Sequence, residues 1–570
     1  MNPDIELKKD LNKDNGAVSK SVRRANRRIV IALISAILMF FLLLFPDHPE
    51  SFKVEHFLKL PLEWPLFVLA LLYLRGKPLT LLRSILVISL GLSALLRTAD
   101  IGSRLAFDRR FSPLVEWHLL GDGWNLASQQ VGLVEAALFV ILSIGILIGL
   151  LIALFAGLGA IGRLEGRARL GAGAISLFVL VVGGWVYWSQ SPDMRDPIVQ
   201  ANFVPELIDR SKDMQRSIVD QQKFIAQLSV DPINQNTPPT FDALKGLDVG
   251  FVFIESYGQS FLFDEDLGPP AKARLNSMEN QIRNAGLHVR SGWLTSPVRG
   301  GRSWLTHASV AGGLAITNQA RYDRLIASDR VSLYSLFANA GWNSVGLVPA
   351  IREAWPEGAW YGFDRIYDFE GLNYQGEPFG WVTMPDQYTL SFFERSIRQP
   401  SEVPVMAEIA LISSHAPWTP IPTPVPWDSV GDGSIFDGSS HRFGEPMTWN
   451  NRIKVREMYA KSLDYSLATV GDYLSRHGAG ALFVIHGDHQ PASIIAGWGK
   501  TADVPIHIVS DNPALLERLP DDIFTDGMLP DNNSLSLPMW SVRELMSTVF
   551  ENPSISPSTS DTDNEIPTPE

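Results

Sequence analysis

Leu247-Asp-Val-Gly-Phe-Val-Phe-Ile-Glu-Ser-Tyr-Gly258 is an apolar run, 249–254, that ends abruptly in a carboxylate, a hydroxyl and a glycine. A short continuous apolar run bounded by turn residues reads as a buried strand of a parallel sheet. In open α/β sheets ligands sit just beyond the carboxyl ends of the strands. Glu255 stands there. A strand-end glutamate is as a rule a solvated loop residue, but a second run far downstream changes that reading. Ala481-Leu-Phe-Val-Ile-His-Gly-Asp-His-Gln-Pro491 delivers Asp488 and His489 to the same edge. Two buried strands ending in metal-ligand residue types predict a site.

The chain has 570 residues, too many for one core, so two or more domains are expected. Hydrophobic residues make up 46% and charged ones only 19%, a mixture of membrane and soluble parts. There is no cysteine, which excludes disulfides, thiolate zinc sites and a cysteine nucleophile. The net charge of −13 argues against a nucleic-acid partner.

Residues 1–28 are polar, with Lys8, Lys9, Lys13, Lys20, Arg23, Arg24, Arg27 and Arg28; they read as a disordered cytoplasmic tail. Residues 29–188 read as a membrane domain of five spans, at 29–45, 60–74, 79–96, 131–161 and 170–188; the first is close to the ~17–25 residues that a bilayer requires, and the fourth is long enough to tilt or to extend past the membrane. The second is the weakest, with Glu63 and two prolines in its first half. Arg83, in the third, is expected to snorkel to the interface. A cleavable leader fits poorly, because no small-residue cleavage site follows Phe45 and further apolar segments come after.

Arg75 and Lys77 follow span two, and Arg163, Arg167 and Arg169 follow span four. Basic loops stay inside, so five spans place everything after Trp188 outside. The loop with Arg97, Arg104, Arg109 and Arg110 is the exception. Those arginines would meet lipid phosphates, pack under the soluble domain, or be plain surface charge. Trp185, Tyr187 and Trp188 read as an interfacial aromatic belt.

Residues 189–240 form a connector, in which 204–228 has helical spacing of apolar residues and is expected to lie along the membrane or against the soluble domain. From 241 to 553, short apolar runs at 248–254, 344–348, 405–412, 481–485 and 504–509 alternate with amphipathic stretches. That is an α/β domain with a mostly parallel sheet. The tail, 554–570, is Ser, Thr, Pro and acid, expected to be disordered.

Two further segments of the outer domain carry chemistry. In Ser296-Pro-Val-Arg-Gly-Gly-Arg-Ser-Trp-Leu-Thr-His-Ala-Ser309, a glycine pair precedes Arg302 and Ser303 and a helical pattern follows. A hydroxyl at such a helix start meets anions well, although a serine there can equally be an N-cap. In Leu411-Ile-Ser-Ser-His-Ala-Pro-Trp418, a strand leads to His415 in a turn.

Glu-Ser-Tyr-Gly after a strand, a hydroxyl after Gly-Gly-Arg, Ser-Ser-His-x-Pro-Trp and Gly-Asp-His-x-Pro, in that order, resemble the sulfatase-like branch of the alkaline phosphatase superfamily. With the N-terminal spans, the likeness is to its lipoteichoic acid synthase type, which groups with phosphoglycerol and phosphoethanolamine transferases. It covers about 249–549 plus the membrane layout. The resemblance implies an alkaline-phosphatase-like α/β domain in which Glu255, Ser303, Asp488 and His489 bind one divalent ion, zinc or manganese. Ser303 would be the nucleophile, and His415 would hold the phosphate or protonate the leaving group. Arg302 and Arg352 would bind substrate. Two departures matter. Those transferases have threonine where this chain has Ser303, which leaves Thr306 and Ser309 as fallback nucleophiles. The Cys/Ser-x-Pro-x-Arg signature of true sulfatases has only an echo in Ser296-Pro-Val-Arg299, and without cysteine no formylglycine can be made from one.

The expectation is a metal-dependent transferase of the bacterial inner membrane. It would move phosphoglycerol or phosphoethanolamine from a phospholipid to an envelope glycan or lipid, through a phosphoserine. A phosphatase or phosphodiesterase using water is the second reading. A non-catalytic lipid-binding protein is the third, and the four competent ligand residues argue against it.

Overall fold

The computed structural model describes residues 3–117, 121, 124, 128, 132–190, 197–233, 237–444 and 451–551. The expected tail at 554–570, and part of the linker expected at 234–240, lie outside them. The chain forms two compact units, one of residues 1–104 with 109–219 and one of residues 105–108 with 220 onward. The connector expected at 189–240 is thus divided between them.

The first unit is helical: α1 (Pro3–Leu43), α2 (Glu63–Tyr73), α3 (Gly76–Phe107), α4 (Leu133–Gly162), α5 (Gly166–Ser189) and α6 (Phe203–Leu228). Four stretches are long and apolar enough to cross a membrane: 22–43 of α1, and α3, α4 and α5. Two expectations are corrected. The polar N-terminus is helical from Pro3, because its Glu, Lys, Leu, Ala and Arg residues are good helix formers with no proline inside. The second span is a helix of only 11 residues, about 16 Å at 1.5 Å per residue against the ~30 Å of a hydrocarbon core. Leu60–Pro61, just ahead of it, are taken up by a strand pair with Val199–Gln200.

Short as it is, α2 still returns the chain. Gly183, late in α5, lies against Leu60 and Leu62, whereas Gly173, early in α5, lies against Tyr73. Gly162, ending α4, lies against Leu79 of α3, and Gly157 lies against Ile31 and Ser35 of α1. The basic residues before Ile31, then Arg75, Lys77, Arg163, Arg167 and Arg169, therefore gather at one end of the bundle. Arg83 donates to the Phe155 carbonyl of α4 (3.1 Å) and lies 4.0 Å over the Phe155 ring. The arginines expected in the loop after the third span, of which Arg97 and Arg104 lie within α3, are largely spent on ion pairs. Arg97 is buried against Glu206, Arg109 binds Glu116, and Arg110 reaches Asp47 at 3.3 Å.

The second unit is built on a nine-stranded sheet. Its strands are β1 (Asp248–Ile254), β2 (His288–Thr295), β3 (Asn343–Leu347), β4 (Arg365–Tyr367), β5 (Val405–Leu411), β6 (Ala481–Gly487), β7 (Asp503–Ser510), β8 (Thr525–Asp526) and β9 (Ser536–Pro538). They lie in the order β8-β2-β7-β6-β1-β5-β3-β4, with β9 also on β2. From β6 to β4 all pairs are parallel, whereas β7 is antiparallel to both β6 and β2. The five runs expected from the sequence are all strands. The strand β2 was not among them, because Arg290, Ser291 and Gly292 interrupt its apolar pattern.

Strand β1 is central and buried on both faces. Val252 and Ile254 join one core with Leu275, Met278 and Ile282 of α7 (Gly268–Asn284); Phe251 and Phe253 join the other with Leu305 and Ala308 of α8 (Ser303–Gly312). This explains its unbroken apolar reading. Because β1 and β6 are parallel neighbours in the register Ile254↔Gly487, Glu255 and Asp488 emerge side by side at the same sheet edge.

Candidate metal centre

Three buried ligand-type residues meet at that edge. One ligand atom each from Glu255, Asp488 and His489 lies within 4.8 Å of the others. His489 Nε2 is 3.6 Å from Glu255 Oε1 and 3.6 Å from Asp488 Oδ2. Ser303 completes the group: its hydroxyl donates to Glu255 Oε2 (3.1 Å) and lies 3.2 Å from His489 Nε2.

The chain holds each donor in place. Asp488 Oδ1 accepts the backbone N–H groups of Ser256 and His489, both at 2.7 Å, which leaves Oδ2 for the cluster. His489 Nδ1 donates to the Gln490 carbonyl (2.9 Å), so Nε2 is the ring nitrogen that faces the cluster. The Ser256 hydroxyl donates to Glu255 Oε1 (2.6 Å), Ser414 to the Glu255 carbonyl (2.6 Å) and Tyr459 to the Ser256 carbonyl (2.8 Å). Ser303 is the first residue of α8, reached through three residues of positive φ: Gly300 (72°), Gly301 (141°) and Arg302 (69°). The glycines permit that tight turn, and the unpaired N–H groups of the helix start face an incoming anion.

Burial and the Glu255 charge push the Asp488 carboxyl up to about 6. Burial acts the same way on Glu255, but the positive charges of His489 and His415 outweigh it and hold that carboxyl at about 2. Burial would depress His489, yet the carboxylates of Asp488 and Glu255 raise it. Two buried carboxylates thus draw positive charge to themselves. Their oxygens, one inward imidazole nitrogen and a hydroxyl make a donor set that suits zinc or manganese. The residues fit a divalent ion.

The remaining expected residues fall as follows. His415 is exposed, on a turn whose N–H groups at Ile412 (2.8 Å) and Ser413 (2.9 Å) are held by buried Asp386. Its Nδ1 donates to Ala416 O (2.6 Å), leaving Nε2 available, and its charge reaches Glu255. Arg302 is buried at the N-cap of α8, over the Phe107 ring at 4.6 Å. Arg352 is exposed, with its guanidinium 5.1 Å over Phe369; no described hydrogen bond or ion pair joins it to the cluster. Thr306 and Ser309 are buried inside α8, and Ser309 donates to the Leu305 carbonyl (2.7 Å). Only Ser303 of the three hydroxyls reaches the carboxylates.

One pair was not foreseen. Glu408, in the middle of β5, is buried and binds His307 Nδ1. His307 stacks on Phe253 (3.8 Å between ring centres, 14° between planes), one helical turn below Ser303. Glu408 Oε2 is buried with no described hydrogen-bond partner. The only sequence signal was a glutamate interrupting an apolar run, and nothing local pairs it with a histidine 101 residues away.

No protein-family model matches the sequence, and no curated protein matches it. Among solved structures, the chain is similar to the integral membrane lipooligosaccharide phosphoethanolamine transferase A of Neisseria meningitidis, at 13% identity over 91% of this chain and 94% of that one (TM-score 0.41). It is also similar to the lipoteichoic acid synthase LtaP of Listeria monocytogenes (13% identity, 50% of this chain and 70% of that one, TM-score 0.34). A third is the phosphoglycerol transferase GacH of Streptococcus pyogenes (16% identity, 50% of this chain and 72% of that one, TM-score 0.33).

Proposed function

We propose that the protein is a membrane-anchored, metal-dependent phospho-head-group transferase of the sulfatase-like type. The observation that carries this reading is the Ser303 hydroxyl, held at a helix N-terminus between Glu255 (3.1 Å) and His489 (3.2 Å). When bound, a divalent ion supplies positive charge that favours the ionised hydroxyl and offsets charge on phosphoryl oxygens.

The residues then divide the work. Ser303 Oγ attacks phosphorus, its bond to the lipid oxygen breaks, and a phosphoserine forms. His415, on its Asp386-held turn, delivers a proton to the departing diacylglycerol oxygen. The free N–H groups at the start of α8 and the cations Arg302 and Arg352 are the partners for phosphoryl oxygens. An acceptor hydroxyl on a glycan or lipid, giving its proton to the now neutral His415, then attacks the same phosphorus; the bond to Ser303 Oγ breaks, the phospho-head-group passes to the acceptor and Ser303 is restored. The donor is a glycerophospholipid carrying phosphoglycerol or phosphoethanolamine.

The test is to incubate the purified full chain with phosphatidylglycerol or phosphatidylethanolamine and a divalent ion. Diacylglycerol should accumulate, and head group should pass to added acceptor. Head group released to water at the same rate with or without acceptor would instead mark a hydrolase, and no diacylglycerol with any donor would sink the reading.

The catalytic unit is assigned to the outside of a bacterial inner membrane, since the basic residues gather at the bundle end opposite that of Trp185 and Trp188. A reporter active only outside the cytoplasm should work when fused after Trp188 and fail after Lys77. Activity after Lys77 would overturn the orientation.

A further inference from the structure

Helix α6 has two unlike faces along residues 203–219. One is pinned to the helical bundle. The Phe203 N–H donates to Glu63 (2.8 Å), Glu206 binds buried Arg97, and Arg210 binds Asp100, besides Glu206 at 3.1 Å. The other face carries Val204, Ile208, Met214, Ile218 and Val219, which are between 46% and 53% exposed. At 100° per residue these five fall within an arc of roughly 140°, which they share with the polar Ser211 and Gln215 and with Leu207, partly buried against the bundle at the start of the helix. Lys212 and Arg216 border the arc on one side, both exposed and, among the described residues, in ion pairs of 3.4 Å with Asp209 and Asp213 of the same helix.

We infer that this arc rests on the membrane surface, with its apolar side chains at the boundary of head groups and acyl chains. Continuity with the spanning helices supports this occupant. The strand pair Leu60–Pro61 with Val199–Gln200 and the Glu63 contact start α6 at the bundle end where α5 finishes. Trp185 and Trp188 are there 72% and 86% exposed, as residues at a hydrocarbon boundary are. Burial of Glu206 and Arg210 fixes the rotation of α6, because turning the arc inward would strip paired charges of their partners. The basic border faces anionic head groups. A second copy of the chain is the competing occupant, but an interface between copies gives no role to Lys212 and Arg216 at its margin.

Because the chain contains no cysteine, single labels report cleanly. Nitroxides placed at Met214→Cys, Ile218→Cys and, on the charged side, Asp213→Cys are compared in the full chain, in nanodiscs of phosphatidylcholine with phosphatidylglycerol. Labels at 214 and 218 should collide with oxygen several-fold more often, relative to a water-soluble nickel chelate, than the label at 213. Equal nickel access at all three positions would overturn the proposal. Dipolar broadening at 214 and 218 that vanishes on dilution with unlabelled chain would do so too, by placing a second copy on the arc. The outcome does not depend on whether the protein transfers head groups.

Discussion

Replacing Ser303 with alanine is expected to abolish donor turnover, by on the order of 1,000-fold or more for loss of a nucleophile. Ser303→Thr should keep substantial activity, because it keeps the hydroxyl. The contrast with the two neighbouring hydroxyls follows from their surroundings. Ser309 spends its hydroxyl on the Leu305 carbonyl, and Thr306 is fully buried inside α8. Thr306→Ala and Ser309→Ala should therefore leave turnover within about tenfold and act through stability, at the ~0.5–3 kcal/mol common for single changes. With donor but no acceptor, the trapped phosphopeptide should map to Ser303. Normal turnover by Ser303→Ala, or phosphate on Thr306, would refute the nucleophile while leaving the fold untouched.

Asp488→Ala is expected to lose bound metal. Asp488 supplies one oxygen to the cluster and uses the other to hold the N–H groups of Ser256 and His489. Its removal thus deletes a donor and loosens the two strand ends that carry the others. A supporting residue alone is worth about 10–100-fold in metal affinity, so a ligand should cost at least that. Metal content after dialysis is the measurement, and wild-type content in both Asp488→Ala and His489→Ala would be incompatible with the assignment. The pH dependence has a definite sign. Asp488, at about 6 without metal, must give up a proton to bind it. Affinity should therefore fall as pH drops through about 6, and binding should release protons.

Glu255, Asp488 and His489 were legible in the sequence as candidates because Glu255 follows directly on an unbroken apolar strand, Asp488 and His489 close on the end of a second one, and strand ends collect at one sheet edge. The parallel strands were legible for the same reason. The strand β2 was not, since its polar interruptions look like a loop until β7 pairs with it. The choice of Ser303 over Thr306 and Ser309 was arguable from the glycine pair, but only the fold brings its hydroxyl 3.1 Å from Glu255. The second span was already the weakest by composition, with Glu63 and two prolines in its first half, but only the fold shows that the strand at Leu60–Pro61 consumes its first turn, and that pairing involves residues 139 positions apart (Leu60↔Val199).

By itself the sequence determined local conformation and pointed to the candidate donors: buried strand, glycine turn, helix start, carboxylate or imidazole at the tip. These depend on neighbours within a few residues, where periodicity and side-chain type suffice. Only the tertiary structure decided which donors share a site, that Asp386 props the His415 turn, that Glu408 pairs with His307, and which face of α6 is left bare. Those contacts join segments tens to hundreds of residues apart. They are set by strand register and by the packing of helices on either side of the sheet, neither of which any single stretch of the chain records.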